Sequence, residues 1–572
     1  MNRFLAPAIV AAGLTIGSAQ AADLLVLAED VPAGLDIDGP SIALQATETG
    51  PDNLLEPLVY YSVKGTNDEG VRIHDFDKFE GRLAQSWSYD AATRTWTFNL
   101  RRGVKGCDGA TFNADDVVYT FARGKTVSGA APIAWFLSNV ASIDGFTVAQ
   151  LGVGITGEGA NDAEKERDRQ RKLAEARKLG SEVRKIDDYT VQIRQSASNK
   201  LLLPVLTIFG LYIYDKEIME KHATADDPWS HNYNNNVNAP SFGPYCLERW
   251  QKDQEFVVRA NPDYYRGKPH FDRVILRKVP QSSNRVAILR TGQAGLIERV
   301  NPKEFDSLRN IRGVKVAGVL GNENLFAVLN FKSKPFDNVK VRQAIAHAIP
   351  YDQIIKDGYF GQASKWKGQI PESYPGFHAS PTQYGTDINR AKALLAEAGY
   401  PDGRGLEAFR EAFQITYPAE REATLGPIAT MMRTALRGAG FPIELNPIPQ
   451  TQFGDRKLVK KDLPFALVDD EKPIGVDAAY ALLLYHVSAK GGGLNNMANY
   501  ESAKVDELFK SALTEADNTK RNALLAEAQN ILAQDINLLP IVMWKTQWAF
   551  SDKIKGMTWH ADNIVRWFDL SE

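Results

Sequence analysis

Residues 83–121 read LAQSWSYDAATRTWTFNLRRGVKGCDGATFNADDVVYTF. Trp96, Phe98 and Leu100 alternate with Thr95, Thr97, Asn99 and Arg101. A period of two marks a strand with one buried face. SYDAATR before it supplies a polar turn, and Gly103, Gly106 and Gly109 after it are points of chain reversal. Asn113 then carries the short acceptor side chain of a helix N-cap. Asp115 and Asp116 fall in the first turn, where the helix dipole favours acids, and Val117 and Phe121 sit four apart on one face. The stretch predicts a strand, a glycine-punctuated loop and a capped helix.

Upstream, residues 1–21 have the three parts of a secretory signal. Arg3 gives the positive region, Leu5 to Gly17 the apolar core, and Ala19-Gln20-Ala21 the cleavage site. The core falls short of the ~20 apolar residues that span a bilayer. No Cys follows the small residues, so no lipid anchor is expected. The segment predicts export to the periplasm and a mature chain from Ala22; an N-terminal core helix is the alternative.

A chain of 572 residues predicts several domain-sized units. With 44% hydrophobic and 24% charged residues it is globular in composition, neither disordered nor membrane-spanning. A formal net charge of −3 argues against a nucleic-acid or bulk membrane-surface partner. Cys107 and Cys246 are the only cysteines. In an oxidising compartment they pair, worth about 3–5 kcal/mol of loop entropy, or they stay as two buried thiols; both readings stand. Two cysteines alone do not make a structural zinc site.

Between Phe146 and Val183 the chain is polar. Gly152, Gly154 and Gly157 satisfy the dinucleotide spacing G-x-G-x-x-G, but the helix that follows is charged on nearly every side. That fingerprint needs a helix with an apolar face for a parallel sheet, so it is discounted. Leu201 to Tyr214, LLLPVLTIFGLYIY, is broken by Pro204 and Gly210 and predicts a core segment. No catalytic constellation emerges. The eight His form no HExxH, and Ser364 with Lys367 satisfies S-x-x-K without a supporting box. No cofactor and no metal site is expected.

Four blocks resemble one family in its order. Residues 83–121 are similar to the signature LAxSW…TFxLRxGVKFxDGxPFTAxDVVYSF of the dipeptide- and oligopeptide-type solute-binding proteins of bacterial ABC importers (family 5). It departs at Gly106-Cys107 and Asn113. GPYCLERWQKDQEFVVRANPDYYRGKP from Gly243, LNFKSKPFDNVKVRQAIAHAI from Leu329 and DINRAKALLAEAGYPDG from Asp387 resemble the others. Ala294-Gly295 and Pro350 replace the usual acids.

The resemblance implies an α/β, two-lobed periplasmic binding protein with a hinge and an inserted third domain. Lobe I is expected over 22–62, 196–322 and 538–572, the inserted domain II over 63–195, and lobe III over 323–537. The hinge is expected near Asn322 to Phe326 and Leu538 to Pro540. It further implies a non-enzymatic receptor, a monomer that captures peptides or similar polar solutes and delivers them to ABC importer permease subunits. Receptors for oligosaccharides or opines are the alternative within the family. A secreted hydrolase and a chemosensory partner are more distant ones.

In peptide-binding relatives a "DYxxP" segment carries an acid for the ligand ammonium. Asp469, with Pro473 four residues on, matches that spacing; Asp477 fits a related alignment, and Asp470 is adjacent. Trp135, Phe136, Trp366 and Tyr485 are aromatic candidates for ligand packing, and Asn322 stands at the expected hinge.

Overall fold

The computed structural model describes residues 23–38, 45–126, 133, 136–143, 159–178, 182–224 and 227–572. The proposed signal, the glycines at 152–157 and Trp135 lie outside these residues.

The stretch from which the sequence was read folds as its pattern predicts. Thr95–Leu100 is the central member of an antiparallel sheet with Ala84–Asp90 and Thr190–Arg194, to which Val183–Asp187 adds a fourth strand. Phe98 and Leu100 are buried; Trp96 is half-buried, and its indole donates to Gln195 Oε1 at 2.9 Å. The helix spans Ala114–Thr126. Asn113 Oδ1 accepts from Asp115 N at 2.7 Å, and Asp116 Oδ2 accepts from Asn113 N at 2.8 Å, a reciprocal cap on two orphan donors. Val117 and Phe121 face the core.

Two larger sheets carry the rest. A seven-stranded sheet runs Val314–Val319, Thr546–Ser551, Leu296–Ile297, Asp23–Ala28, Arg273–Lys278, Glu255–Ala260, Tyr245–Gln251 in spatial order. A six-stranded sheet runs Ala363–Lys365, Leu539–Trp544, Asn324–Leu329, Phe465–Val468, Gln414–Pro418, Glu444–Ile448. Every residue of Asn324–Leu329 and Phe465–Val468 is buried, as in a sheet covered on both faces. Helices Val339–Ala348, Ile388–Glu397 and Glu422–Gly438 supply much of that cover. Leu201 to Tyr214 is core, with only Leu203 half-buried.

The chain passes between the two large sheets side by side. Val319 pairs with Thr546 in one sheet and Asn324 with Met543 in the other, so residues 320–323 and 545 form twin crossings. This second crossing lies a few residues past the expected Leu538 to Pro540, because the strand from Leu539 completes the six-stranded sheet before the chain returns.

Cys107 and Cys246 are joined by a disulfide, with Cα atoms 5.7 Å apart and 139 positions between them in sequence. It ties the glycine-rich loop of the opening stretch to the edge strand Tyr245–Gln251 of the seven-stranded sheet.

Candidate functional site

Gln414–Pro418 runs parallel to both Glu444–Ile448 and Phe465–Val468. Val468 lies opposite Phe326, near the start of the strand that has just left the crossing. The carboxyl ends of all three parallel strands therefore open toward the twin crossings and the other lobe. Ligands in open α/β sheets are held at such ends, where side chains from several loops converge.

Each loop there contributes polar groups. Arg421 follows the first strand and its guanidinium pairs with Asp469, which follows the third. Lys457 Nζ reaches Asp470 at 2.7 Å and Glu471 at 2.8 Å. Gln450, after the second strand, donates to Asp470 Oδ2 at 3.3 Å. Lys472 Nζ lies 3.3 Å from Glu323 in the first crossing. Asp469 and Lys457 are almost fully enclosed, while the side chains of Arg421 and Asp470 keep 36% and 28% of their surface. The cluster is thus reachable from one side.

Burial raises Asp469 and Glu471 above the ordinary carboxylate range, in spite of their cations. For Asp470 burial is again the largest single influence and acts upward, but Lys457, Arg421 and Gln450 together outweigh it and hold the acid low. Arg421 is held above its usual range first by the charge of Asp469.

Several polar atoms here have no hydrogen-bond partner among the described residues: Asp469 Oδ1, Arg421 Nε, Asn324 Oδ1, Trp544 Nε1 and the Tyr359 hydroxyl. Tyr359 is 2% exposed, stacks on Trp544 at 5.8 Å, and has Asp469, Arg421 and Glu323 as its charged neighbours. An unmet buried donor or acceptor costs about 1–3 kcal/mol, so a group of them on one face favours an incoming polar partner.

The sequence-predicted residues divide. Asp469 and Asp470 belong to this cluster, and Tyr485 touches it through its hydroxyl, 3.4 Å from Glu471. Asp477 is otherwise engaged. It caps helix Ala478–Tyr485 by accepting from Ala479 N at 2.7 Å, and it pairs with Arg521 Nη2 at 2.7 Å. Trp366 is 7% exposed, packs on Phe326 and donates to Ile370 O at 2.8 Å. Phe136 is buried and stacks on Tyr480 at 5.9 Å. Asn322 is fully buried and ties the crossing down: it donates to Ala561 O at 2.6 Å and Tyr374 Oη at 3.0 Å and accepts from Asn563 at 3.2 Å. Tyr374 in turn donates to Pro473 O, which connects the crossing to the acidic segment.

Arg421, Lys457, Tyr359, Trp544 and Glu323 were not singled out from sequence. Only Arg421 had a signal, its place shortly after the strand Gln414–Pro418; Lys457 lies in a helical segment and Tyr359 follows one, Trp544 ends a strand and Glu323 precedes one. A second cluster was missed as well. Asp36, Asp38 and His231 come together at metal-ligand spacing. The Arg123 guanidinium contacts all three, so the cationic charge a metal would bring is already present.

Comparison with known proteins gives a consistent result. Residues 78–492 match the family described as bacterial extracellular solute-binding proteins, family 5. The probable D,D-dipeptide-binding periplasmic protein of Escherichia coli K12 is 24% identical over 84% of this chain and 82% of its own. The Helicobacter pylori periplasmic binding protein DppA, solved with the peptide STSA, superposes with a TM-score of 0.74 at 22% identity, covering 96% of this chain and 98% of that one. AgaA of Agrobacterium tumefaciens R10, solved with agropinic acid, gives a TM-score of 0.71 at 20% identity over 94% of each.

Proposed function

Because the chain belongs to the bacterial extracellular solute-binding proteins of family 5, we propose that it is the periplasmic receptor of an ABC importer for peptides or similar small polar solutes. Lobe I comprises 22–62, 196–322 and 545–572, domain II 63–195 and lobe III 323–544; the boundary expected at 538 moves because the strand Leu539–Trp544 belongs to the six-stranded sheet. A cleavable signal exports it, and it acts as a monomer. The solute enters between lobes I and III, hinge rotation at the twin crossings buries it, and the permease subunits receive it unaltered.

The observation that carries this reading is the row of unmet polar atoms beside the Arg421–Asp469 pair. These groups lie at the carboxyl ends of three strands, facing the crossings. They present donors from Arg421, Tyr359 and Trp544 and acceptors from Asp469 and Asn324, the complement of a small molecule rich in amide and ammonium groups. That relatives are named for dipeptides and one solved neighbour holds a tetrapeptide supports the peptide class.

Titration calorimetry with a panel of di- to tetrapeptides tests it. At least one peptide binds, and Asp469→Ala lowers its affinity tenfold or more, since removing one partner of an enclosed charged contact costs about 2–5 kcal/mol. Unchanged affinity in Asp469→Ala removes that acid from the site. Binding confined to opines or oligosaccharides replaces the peptide reading by the other one within the family.

A further inference from the structure

Asp469, Asp470, Glu471 and Glu323 are four carboxylates facing three bases, Arg421, Lys457 and Lys472. No other Lys or Arg pairs with these acids among the described residues. The phenols around them, Tyr359 beside Asp469 and Glu323, Tyr374 beside Glu323, and Tyr480 and Tyr485 beside Glu471, are all shifted upward by burial and stay neutral. Gln450 and Asn563, the remaining polar contacts, carry no charge. One negative charge is left over.

An uncompensated charge in an enclosed site is expensive, far more so than an unmet neutral donor. A bound proton or a cation from the solute removes it. A zwitterion does neither, since it brings one charge of each sign. Lobe closure raises the stakes further, because it takes away the water that screens the excess charge in the open state.

We propose that the site selects solutes of net charge +1, such as peptides with one basic side chain or with an amidated C-terminus, over zwitterions and anions. This rests on the peptide reading above. On binding, the solute's ammonium or guanidinium takes the place of the proton that neutralises the excess carboxylate in the empty site, and that proton leaves to the buffer. No bond other than O–H is broken. Asp469 and Glu471 hold such a proton most readily, because burial has raised both. Asp469 Oδ1, without a hydrogen-bond partner, is the acceptor the incoming cation meets. Arg421, already committed to Asp469, adds no free positive charge to attract a carboxylate.

The test is titration calorimetry at pH 7 on the full mature chain, with Ala-Ala, Ala-Ala-NH2, Ala-Lys and Ala-Glu. Ala-Ala-NH2 and Ala-Lys are expected to bind at least tenfold tighter than Ala-Ala, and Ala-Glu weakest. Runs in buffers of different ionisation enthalpy should show net proton release with the cationic ligands. Glu471→Gln removes the excess and should bring the ratio of Ala-Lys to Ala-Ala affinity toward one. Lys472→Gln enlarges the excess and should raise the ratio. The two variants move it in opposite directions, so loss of fold in either leaves the other decisive. Equal or stronger binding of Ala-Ala or Ala-Glu overturns the charge preference and leaves the peptide receptor standing. So does a ratio untouched by either variant. Failure of all four ligands to bind overturns the charge preference, and if the wider di- to tetrapeptide panel fails too, the peptide reading falls with it.

Discussion

His486 shows how far a single residue's behaviour depends on its surroundings. It is 1% exposed. Its Nε2–H donates to Gln369 O at 3.0 Å and its Nδ1 accepts from Asn537 Nδ2 at 2.8 Å, so the neutral ring satisfies both partners. Burial pushes its pKa down to about 4, from an unfolded value near 6.5. The unfolded chain therefore binds the extra proton first. The stability tied to the neutral ring is complete above about pH 6.5 and drains away as pH falls toward 4. Between pH 7 and 4.5 this is worth about 2–3 kcal/mol. His486→Gln keeps a donor and an acceptor but no titrating group. Thermal unfolding across pH 4.5–7 should show a smaller acid loss in the variant than in the parent by that amount. Parallel curves would mean the ring is not buried neutral. Nothing in the sequence around Tyr485-His486-Val487 distinguishes this histidine from a surface one; burial among distant partners at 369 and 537 does.

The helices show the same dependence at the scale of an element. Ser502 caps Ala503–Thr514 with a weak contact to Val505 N at 3.4 Å, a role readable from its place before an amphipathic run. Asp477 also caps a helix, Ala478–Tyr485, but every residue of that helix is buried and the same carboxylate holds Arg521. A single side-chain cap of this kind is worth about 1 kcal/mol. Removing one partner of a buried ion pair costs about 3–5 kcal/mol. Asp477→Ala should therefore lower the unfolding temperature by at least twice the drop seen for Ser502→Ala. Equal drops would show that Arg521 finds water instead. Resemblance to a family segment made Asp477 a ligand candidate alongside Asp469. Contact with Arg521, 44 positions away, makes it a structural anchor.

Across the whole molecule, the chain passes between the two large sheets in two short crossings, and the disulfide fastens the loop at 107 to the seven-stranded sheet. Closing a loop of 139 positions removes about 3–5 kcal/mol of unfolded-state entropy in the loop-closure account. Cys107→Ser with Cys246→Ser should lose that stability, and reductant should destabilise the parent but not the double variant. An equal response of both proteins to reductant would place the effect elsewhere. The crossings are the natural axis for lobe motion, with Asn322 bridging Ala561, Tyr374 and Asn563 across them.

The linear chain by itself determined the elements with strong periodicity and local caps: the strand at 95–100, the helix after Asn113, the apolar run at 201–214. These depend on neighbours a few positions apart, so their energetics are written in adjacent residues. Four blocks in a family's order extended that to the two-lobed architecture. Only the tertiary structure decided which acids face a solute. Asp469 and Asp477 look alike in sequence, but Arg421 and Tyr359 come to the first from elsewhere in the chain, with Lys457 on its neighbour Asp470, while Arg521 occupies the second. The energy of a charge depends on everything within a few ångströms, and in a folded chain most of that comes from far along the sequence.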